Sequence, residues 1–286
     1  MKPRAAVSFN KGAAGHGRFL PCFPRGKRKA LVMSYDDGSE HDRRLVDIFN
    51  KYGIRGTFNL NSGLLGEKSG IISRGEVRTL YQGHEIASHT RNHRELSMLP
   101  SEEIRLQIRA DKESLEELSE HSIRGFAYPF GTYDPRVADI VREVGIEYAR
   151  TIGDSRGFNI SRDFLALSPT CHHNVAMEVG RRLVESKSQD IETMIVWGHS
   201  YELDGVMSSD NTKNWDYIEN FIRMMHNDKT IWFATTIEVV DYVRGVRELK
   251  FSGSDSWVSN SSQVSLWIRV NGGEIEIPPK QTLTLV

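Results

Sequence analysis

From residue 29 to about 245 the sequence alternates short apolar runs with amphipathic stretches, and this rhythm limits the fold more than any other feature. Strand and helix patterns in strict alternation build βα units, and consecutive βα units form a parallel sheet or barrel. Seven runs read as strands: ALVMSY (30–35), RGTFNL (55–60), HEIAS (84–88), RGFAYP (124–129), IEYART (146–151), TMIVWG (193–198) and TIWFAT (230–235). Most are rich in β-branched or aromatic residues, which fit a pleated, half-buried surface. Helices are expected over 41–52, 101–119, 174–187, 214–227 and 236–244. Ser73 with Glu76 three residues later reads as a capping box before VRTLYQ. Asp134 reads as an N-cap and Pro135 as the first helical residue of RVADIVREVG, which Gly145 stops.

Beyond about Lys250 the texture changes. The segment FSGSDSWVSNSSQVSLWIRVNGGEIEIPPKQTLTLV alternates with period two around Asn271-Gly272, a strong hairpin signal. The chain therefore divides into an N-terminal extension (1–28), an α/β unit of about seven strands (29–248) and a small all-β appendage (249–286). Edge protection, a dimer contact and a carbohydrate contact are all open as roles for the appendage.

Composition removes several function classes. A chain of 286 residues buries a sizeable core, in one large α/β domain with or without a small addition. Its 37 basic and 38 acidic residues leave a formal net charge of -1, so no broad positive field favours nucleic acid or an anionic membrane. No run is long and apolar enough to span a bilayer. The basic, glycine-rich start lacks the apolar core of a secretory signal. The sequence as written reads as cytoplasmic, or as secreted or periplasmic where a leader has been removed. Cys22 and Cys171 are too few for a disulfide framework and form no Cys-x-x-Cys pair, so both read as structural thiols.

Three expected strands run directly into polar side chains able to bind a metal. ALVMSY leads into Asp36-Asp37-Gly38, HEIAS into His89-Thr90-Arg91-Asn92-His93, and TMIVWG into His199. Functional groups of (β/α) barrels gather where strands end and loops begin. Two adjacent carboxylates can both reach one cavity there, because the chain turns; one can hold a cation while the other takes a proton. Gly38 permits the close turn. The plain alternative is an acidic turn capping the next helix.

His89 and His93, four apart, share one face if their segment makes a helical turn, and neutral imidazole is a favoured zinc ligand. Chance surface or core histidines are the competing reading. Two histidines and an aspartate leave a coordination position open, and such a site acidifies water and polarises a carbonyl. His199 follows a buried-looking run and is either a core histidine or a general acid. Amide hydrolysis needs that acid, because an unprotonated amine leaves poorly.

In this order the residues resemble the motifs of the polysaccharide deacetylase family, the NodB-homology group of carbohydrate esterases. SYDDG (34–38) resembles its Thr-Phe-Asp-Asp-Gly motif, and HTRNH (89–93) its His-Ser/Thr-x-x-His. YPFG (128–131) is similar to its Pro-Tyr/Phe-Gly, and WGH (197–199) to its Leu-x-His. The resemblance runs from about 30 to 245. It implies a distorted (β/α) barrel with fewer than eight strands and an N-acetylated carbohydrate substrate. It also implies a divalent metal, most often zinc, with cobalt or nickel as alternatives, held by Asp37, His89 and His93. Asp36 becomes the general base and His199 the general acid, with the Phe130 backbone N–H aimed at the oxyanion.

Departures from the family pattern matter. Ala127 stands where the family places an arginine that orients the base. Arg150, at the end of the next expected strand, is the candidate substitute; a surface ion pair is its plain alternative. The acid histidine's usual aspartate partner has no clear counterpart, and Asp154 and Asp204 are the candidates. His172-His173 fall in an apparent loop and are left out of the metal set. Glu202 reads either as a cleft residue touching sugar hydroxyls or as a solvated loop residue. Trp197, Trp215, Tyr133 and Tyr201 are candidate sugar-stacking rings or core aromatics.

The leading function is therefore metal-dependent removal of N-acetyl groups from amino sugars. Hydrolysis of another non-peptide C–N bond, such as that of a cyclic ureide, is the second reading. A non-catalytic carbohydrate-binding relative is the third. The last is a non-haem iron oxygenase, whose facial triad also has two histidines and a carboxylate but typically sits on an all-β scaffold.

Overall fold

A computed structural model describes residues 19–205, 212–254 and 256–285. Its nine leading strands are β1 (Phe19–Cys22), β2 (Lys29–Asp36), β3 (Thr57–Leu60), β4 (Glu85–Ser88), β5 (Gly125–Ala127), β6 (Tyr148–Arg150), β7 (Cys171–His172), β8 (Glu192–Gly198) and β9 (Ile231–Phe233). The helices are α1 (Asp42–Lys51), α2 (Val77–Leu80), α3 (Ser101–Ser119), α4 (Pro135–Glu143), α5 (Ala176–Glu185), α6 (Trp215–Asn227) and α7 (Thr236–Glu248). Strands pair in the order β6-β5-β4-β3-β2-β8-β7, every pair parallel, and β9 also joins β2. This is the distorted (β/α) barrel expected from the sequence.

β2 is its axis. All eight residues of KALVMSYD are buried, as a strand covered on both faces requires. β8 lines one edge of β2, while β9 and β3 share the other, pairing with 29–31 and 34–36. Because every barrel strand runs the same way, the ends of β2, β4, β5, β6, β7 and β8 collect on one rim.

Local signals account for most boundaries. Ser73 and Glu76 form the expected capping box, and Asp134 accepts from the Val137 N–H at 2.8 Å. Thr235 caps α7 in a second capping box, which is why TIWFAT yields strand only over Ile231–Phe233. α7 continues to Glu248, beyond the expected 244. Cys171–His172, read as loop, pairs with Val196 and Trp197 of β8; two residues are too few to leave a periodic signal.

The remaining strands are β10 (Lys250–Phe251), β11 (Trp257–Ser259), β12 (Leu266–Val270), β13 (Gly273–Ile277) and β14 (Thr282–Thr284). β12 and β13 form the expected hairpin, with Asn271 at φ 50° and Gly272 at φ 83°, both positive as a tight I′ turn demands. The sequence set 1–28 and 249–286 apart as two extensions, yet β1 pairs antiparallel with β12, so parts of both build one sheet. The edge of β12 offers unpaired backbone groups that β1 satisfies. Residues 1–18 lie outside the described residues. Tyr242 of α7 ties this layer to the barrel: its hydroxyl donates to the Cys22 carbonyl and accepts from the Trp267 N–H at 2.9 Å. No helix among the described residues is long and apolar enough to cross a membrane.

Asp42, fully buried in the first turn of α1, joins three elements. It accepts from Tyr81 Oη after α2 and from Ser200 Oγ in the turn after β8, both at 2.6 Å. Burial pushes its carboxyl up to about 7 against the pull of those two bonds, with the charges of Asp37 and Asp36 adding to the rise. A folded-state pKa above the ordinary value means that folding holds a proton the unfolded chain has released. The stabilising contribution is present at low pH and lost as pH climbs from about 4 through 7. Asp42→Asn should therefore gain stability relative to the parent by about 2 kcal/mol between pH 5 and pH 8. Urea denaturation at the two pH values measures this, and equal pH slopes for the two proteins would contradict it.

Candidate active site

The rim gathers the residues singled out in the sequence. Asp37 Oδ1 lies 3.7 Å from His89 Nε2 and 3.6 Å from His93 Nε2. These gaps are too long for hydrogen bonds. They suit the edges of a cation's ligand shell, since bonds of about 2.1 Å in a tetrahedron put neighbouring ligand atoms about 3.4 Å apart. His89 Nδ1 meets the Ala127 carbonyl at 2.8 Å; only a protonated Nδ1 makes that bond, which leaves the Nε2 lone pair facing Asp37. The donor set of one carboxylate and two imidazoles thus fits a divalent metal of the zinc type.

The two histidines meet by a different route from the helical turn expected. Residues 89–93 form a non-helical turn with Thr90 at φ 67° and His93 at φ 53°. Asp37 at φ 79° and Phe130 at φ 58° are held in the same disfavoured region. Each costs about 1 kcal/mol or more, and such strain persists where surrounding structure imposes it, characteristically at functional sites. Gly38, at φ 65°, completes the turn after Asp37; a Cβ there would meet Leu60 Cδ2 at 3.0 Å. Phe130 is exposed, and its ring stands edge-on to His93 at 4.7 Å.

Asp36 sits deeper, 2% exposed, and Arg150 Nη2 reaches both its oxygens, at 2.5 and 2.6 Å. Arg150 is itself 1% exposed and also donates from Nε to Ser34 Oγ at 3.2 Å. It is no surface ion pair. In the β5–β6 register Arg150 is the partner of Ala127, so the guanidinium enters from the strand beside the alanine. Burial raises the Asp36 pKa, but the charge of Arg150 and the bonds it donates outweigh that and hold the carboxyl below its ordinary value.

His199 Nε2 lies 3.9 Å from Asp37 Oδ2. The carboxylate beside its other nitrogen is neither Asp154 nor Asp204 but Glu202, whose Oε1 is 3.4 Å from His199 Nδ1. Asp154 instead accepts from the His172 N–H, and Asp204 pairs with His41 and Trp215. Burial opposes the imidazolium of His199, yet the carboxylate of Glu202 beside it and the charges of Asp36 and Asp37 raise its pKa above the ordinary value. Tyr201 stacks on His199 at 5.1 Å, and Trp197 donates to the Gly153 carbonyl.

Several supports escaped sequence reading. Asp111 of α3 accepts from the Ser62 and His89 N–H groups and from Ser88 Oγ, pinning the end of β4. Asn59 donates to Asp36 Oδ1 at 2.8 Å, and Asn61 donates to the His89 and Thr90 carbonyls. The alternating asparagines of FNLN were the available signal.

The fold and site define an open (β/α) barrel with a three-ligand cluster on its carboxyl-end rim. Residues 24–149 match the family model described as polysaccharide deacetylase. That stretch contains the three ligand candidates, Asp36 and Phe130, and stops before Arg150 and His199. Over that stretch the chain is similar to the polysaccharide deacetylase family. It is similar to peptidoglycan-N-acetylglucosamine deacetylase PgdA of Listeria monocytogenes, with 21% identity over 208 residues, covering 67% of this chain. It spans only 43% of that relative's length. Among solved structures, a Mycobacterium smegmatis protein described as a candidate polysaccharide deacetylase superposes with a TM-score of 0.62 at 18% identity, covering 80% of this chain and 94% of that one. A CE4 family pseudoenzyme of Bacillus anthracis, BA3943, superposes at 0.52 with 16% identity, over 78% of this chain and 68% of its own. A mutant of it with restored activity gives the same score.

Removing Arg150 would leave a buried carboxylate without its cation. Arg150→Ala should cost about 3–5 kcal/mol of stability, and adding Asp36→Asn should recover part of that loss. Denaturation of the parent, both single variants and the double variant measures the coupling; purely additive losses would contradict it.

Proposed function

We propose that this chain is a divalent-metal-dependent hydrolase that removes N-acetyl groups from the amino sugars of a polysaccharide or oligosaccharide. The observation carrying this reading is the juxtaposition of the Asp37–His89–His93 cluster with Asp36 on one side and His199 on the other. The match of residues 24–149 to the polysaccharide deacetylase model and the similarity to a peptidoglycan deacetylase support the choice of bond and substrate class. The parallel βα sheet removes the basis of the iron-oxygenase reading, which expected an all-β scaffold.

Asp37, His89 and His93 would hold the cation, zinc with cobalt or nickel as substitutes; when bound it supplies Lewis acidity, acidifying water and polarising the acyl carbonyl. Asp36, kept anionic and fixed by Arg150, takes the proton from the attacking water. The water oxygen bonds to the acyl carbon, and the Phe130 N–H stabilises the charge that grows on the carbonyl oxygen. His199 donates from Nε2 to the nitrogen as the C–N bond breaks. Acetate and the free amine leave. Raised basicity at His199 suits it to hold that proton near neutral pH until it is needed.

Purified protein loaded with zinc should release acetate from N-acetylglucosamine oligomers. Asp36→Asn should keep about one metal per chain by elemental analysis while activity falls at least a hundredfold or so. Asp37→Ala should lose metal and activity together. Loss of the metal in Asp36→Asn would mean that both carboxylates are ligands and that the base lies elsewhere.

A further inference from the structure

His172, His199 and Glu202 form a second group whose potential ligand atoms lie within 4.8 Å of one another. Its spacing differs from that of the first. Glu202 Oε2 stands 3.0 Å from His172 Nε2, a hydrogen-bond distance and closer than two ligands of one tetrahedral ion. The group is bonded to itself.

Glu202 divides its two oxygens. Oε2 accepts from the His199 backbone N–H at 3.1 Å and lies 3.0 Å from His172 Nε2 and 3.4 Å from His173 Nε2. Oε1 is left facing His199 Nδ1. Burial works against the charge on Glu202, but the bonds from His172 and His199 prevail and hold its carboxyl well below the usual range. His172 is itself fixed on three sides. Its backbone N–H donates to Asp154 Oδ1 at 2.7 Å, its Nδ1 accepts from the Asn174 N–H at 3.4 Å, and its ring stands edge-on to Trp197 at 4.7 Å. An Nδ1 that accepts leaves the proton of the neutral ring on Nε2, aimed at Glu202.

We propose that His172 is a positioning residue for the reaction: it holds Glu202 Oε2 so that Oε1 faces His199 Nδ1 and His199 Nε2 faces the leaving nitrogen. The array His172–Glu202–His199 is assembled from the ends of the adjacent strands β7 and β8. Sharing a carboxylate between two donors restrains its rotation, and a restrained carboxylate fixes both the tautomer and the orientation of the imidazole it serves. The role of His172 rests on the reading of His199 as the acid.

The test compares His172→Leu, similar in bulk but without a donor, with His172→Gln, whose side-chain amide can donate near the place of Nε2. Each zinc-loaded variant is assayed on an N-acetylglucosamine oligomer and on an aryl acetate ester whose leaving group needs no proton. His172→Leu should lower kcat on the amide about tenfold or more, leave KM and metal content unchanged, and barely affect the ester. His172→Gln should restore most of the amide activity. Equal losses on both substrates would mean general damage and overturn the proposal. So would a second bound zinc that His172→Leu removes, because the cluster would then be a metal site. Independently of turnover, NMR of histidine-labelled protein should show a downfield His199 Nδ1–H proton in the parent and in His172→Gln, absent from His172→Leu. Its persistence in His172→Leu would overturn the array. A parent chain with no deacetylase activity would count against the proposed function, and the NMR comparison would still decide the array.

Discussion

The Asp36–Arg150 pair is the constraint from which the geometry of the rim follows. Their strands, β2 and β6, lie four apart in the sheet order. In a flat sheet that would separate them by about 19 Å, far beyond the reach of an arginine side chain. Guanidinium and carboxylate nevertheless meet at 2.5 Å, and Arg150 also bonds Ser34 on β2. The sheet must curl until the end of β6 comes over the end of β2. A charge this deeply buried is tolerated only when it is paired and hydrogen-bonded, and Asp36 has Arg150 and Asn59 for that purpose.

That curl leaves little room in the walls, and the residues there reflect it. Gly198, just before His199, has no side chain because the His173 ring occupies the space: a Cβ would fall 2.2 Å from His173 Nδ1. His173 is 1% exposed, and burial pushes its pKa down to about 3, so it packs as a neutral ring against Tyr35. On the opposite side Asp111, Asn61 and the strained turn at Thr90 and His93 fix the two imidazoles. Metal-binding or catalytic side chains are held to fractions of an ångström only when such outer contacts lock their rotamers.

Much of this was legible in the residues. Period and punctuation located seven of the eight barrel strands and every main helix, because those signals are local. The convergence of the candidate site residues was legible for a topological reason: parallel strands put their carboxyl ends on one rim, so polar residues closing apolar runs converge. Arg150 was visible as an arginine closing a strand, but its partner was not, since contact across four strands depends on a curl that no local pattern encodes. The Glu202–His172 contact was not legible for a different reason. Each lies in a segment too short for periodicity, a 3-10 turn and a two-residue strand, and only pairing with β8 reveals them.

The backbone alone cannot carry the chemistry. The Bacillus anthracis pseudoenzyme and its reactivated mutant superpose on this chain equally well, both with a TM-score of 0.52, although they differ in activity. Shape is therefore silent on catalysis in this fold, and only atomic contacts can distinguish the two cases. Here the exchange of the motif arginine for Ala127 looks, in sequence, like the loss that makes a pseudoenzyme. In three dimensions the guanidinium arrives from the residue registered against that alanine, and Asp36 keeps its cation. A buried charge costs several kcal/mol to desolvate, and guanidinium and carboxylate offset that cost for each other only because the curl brings the end of β6 over β2.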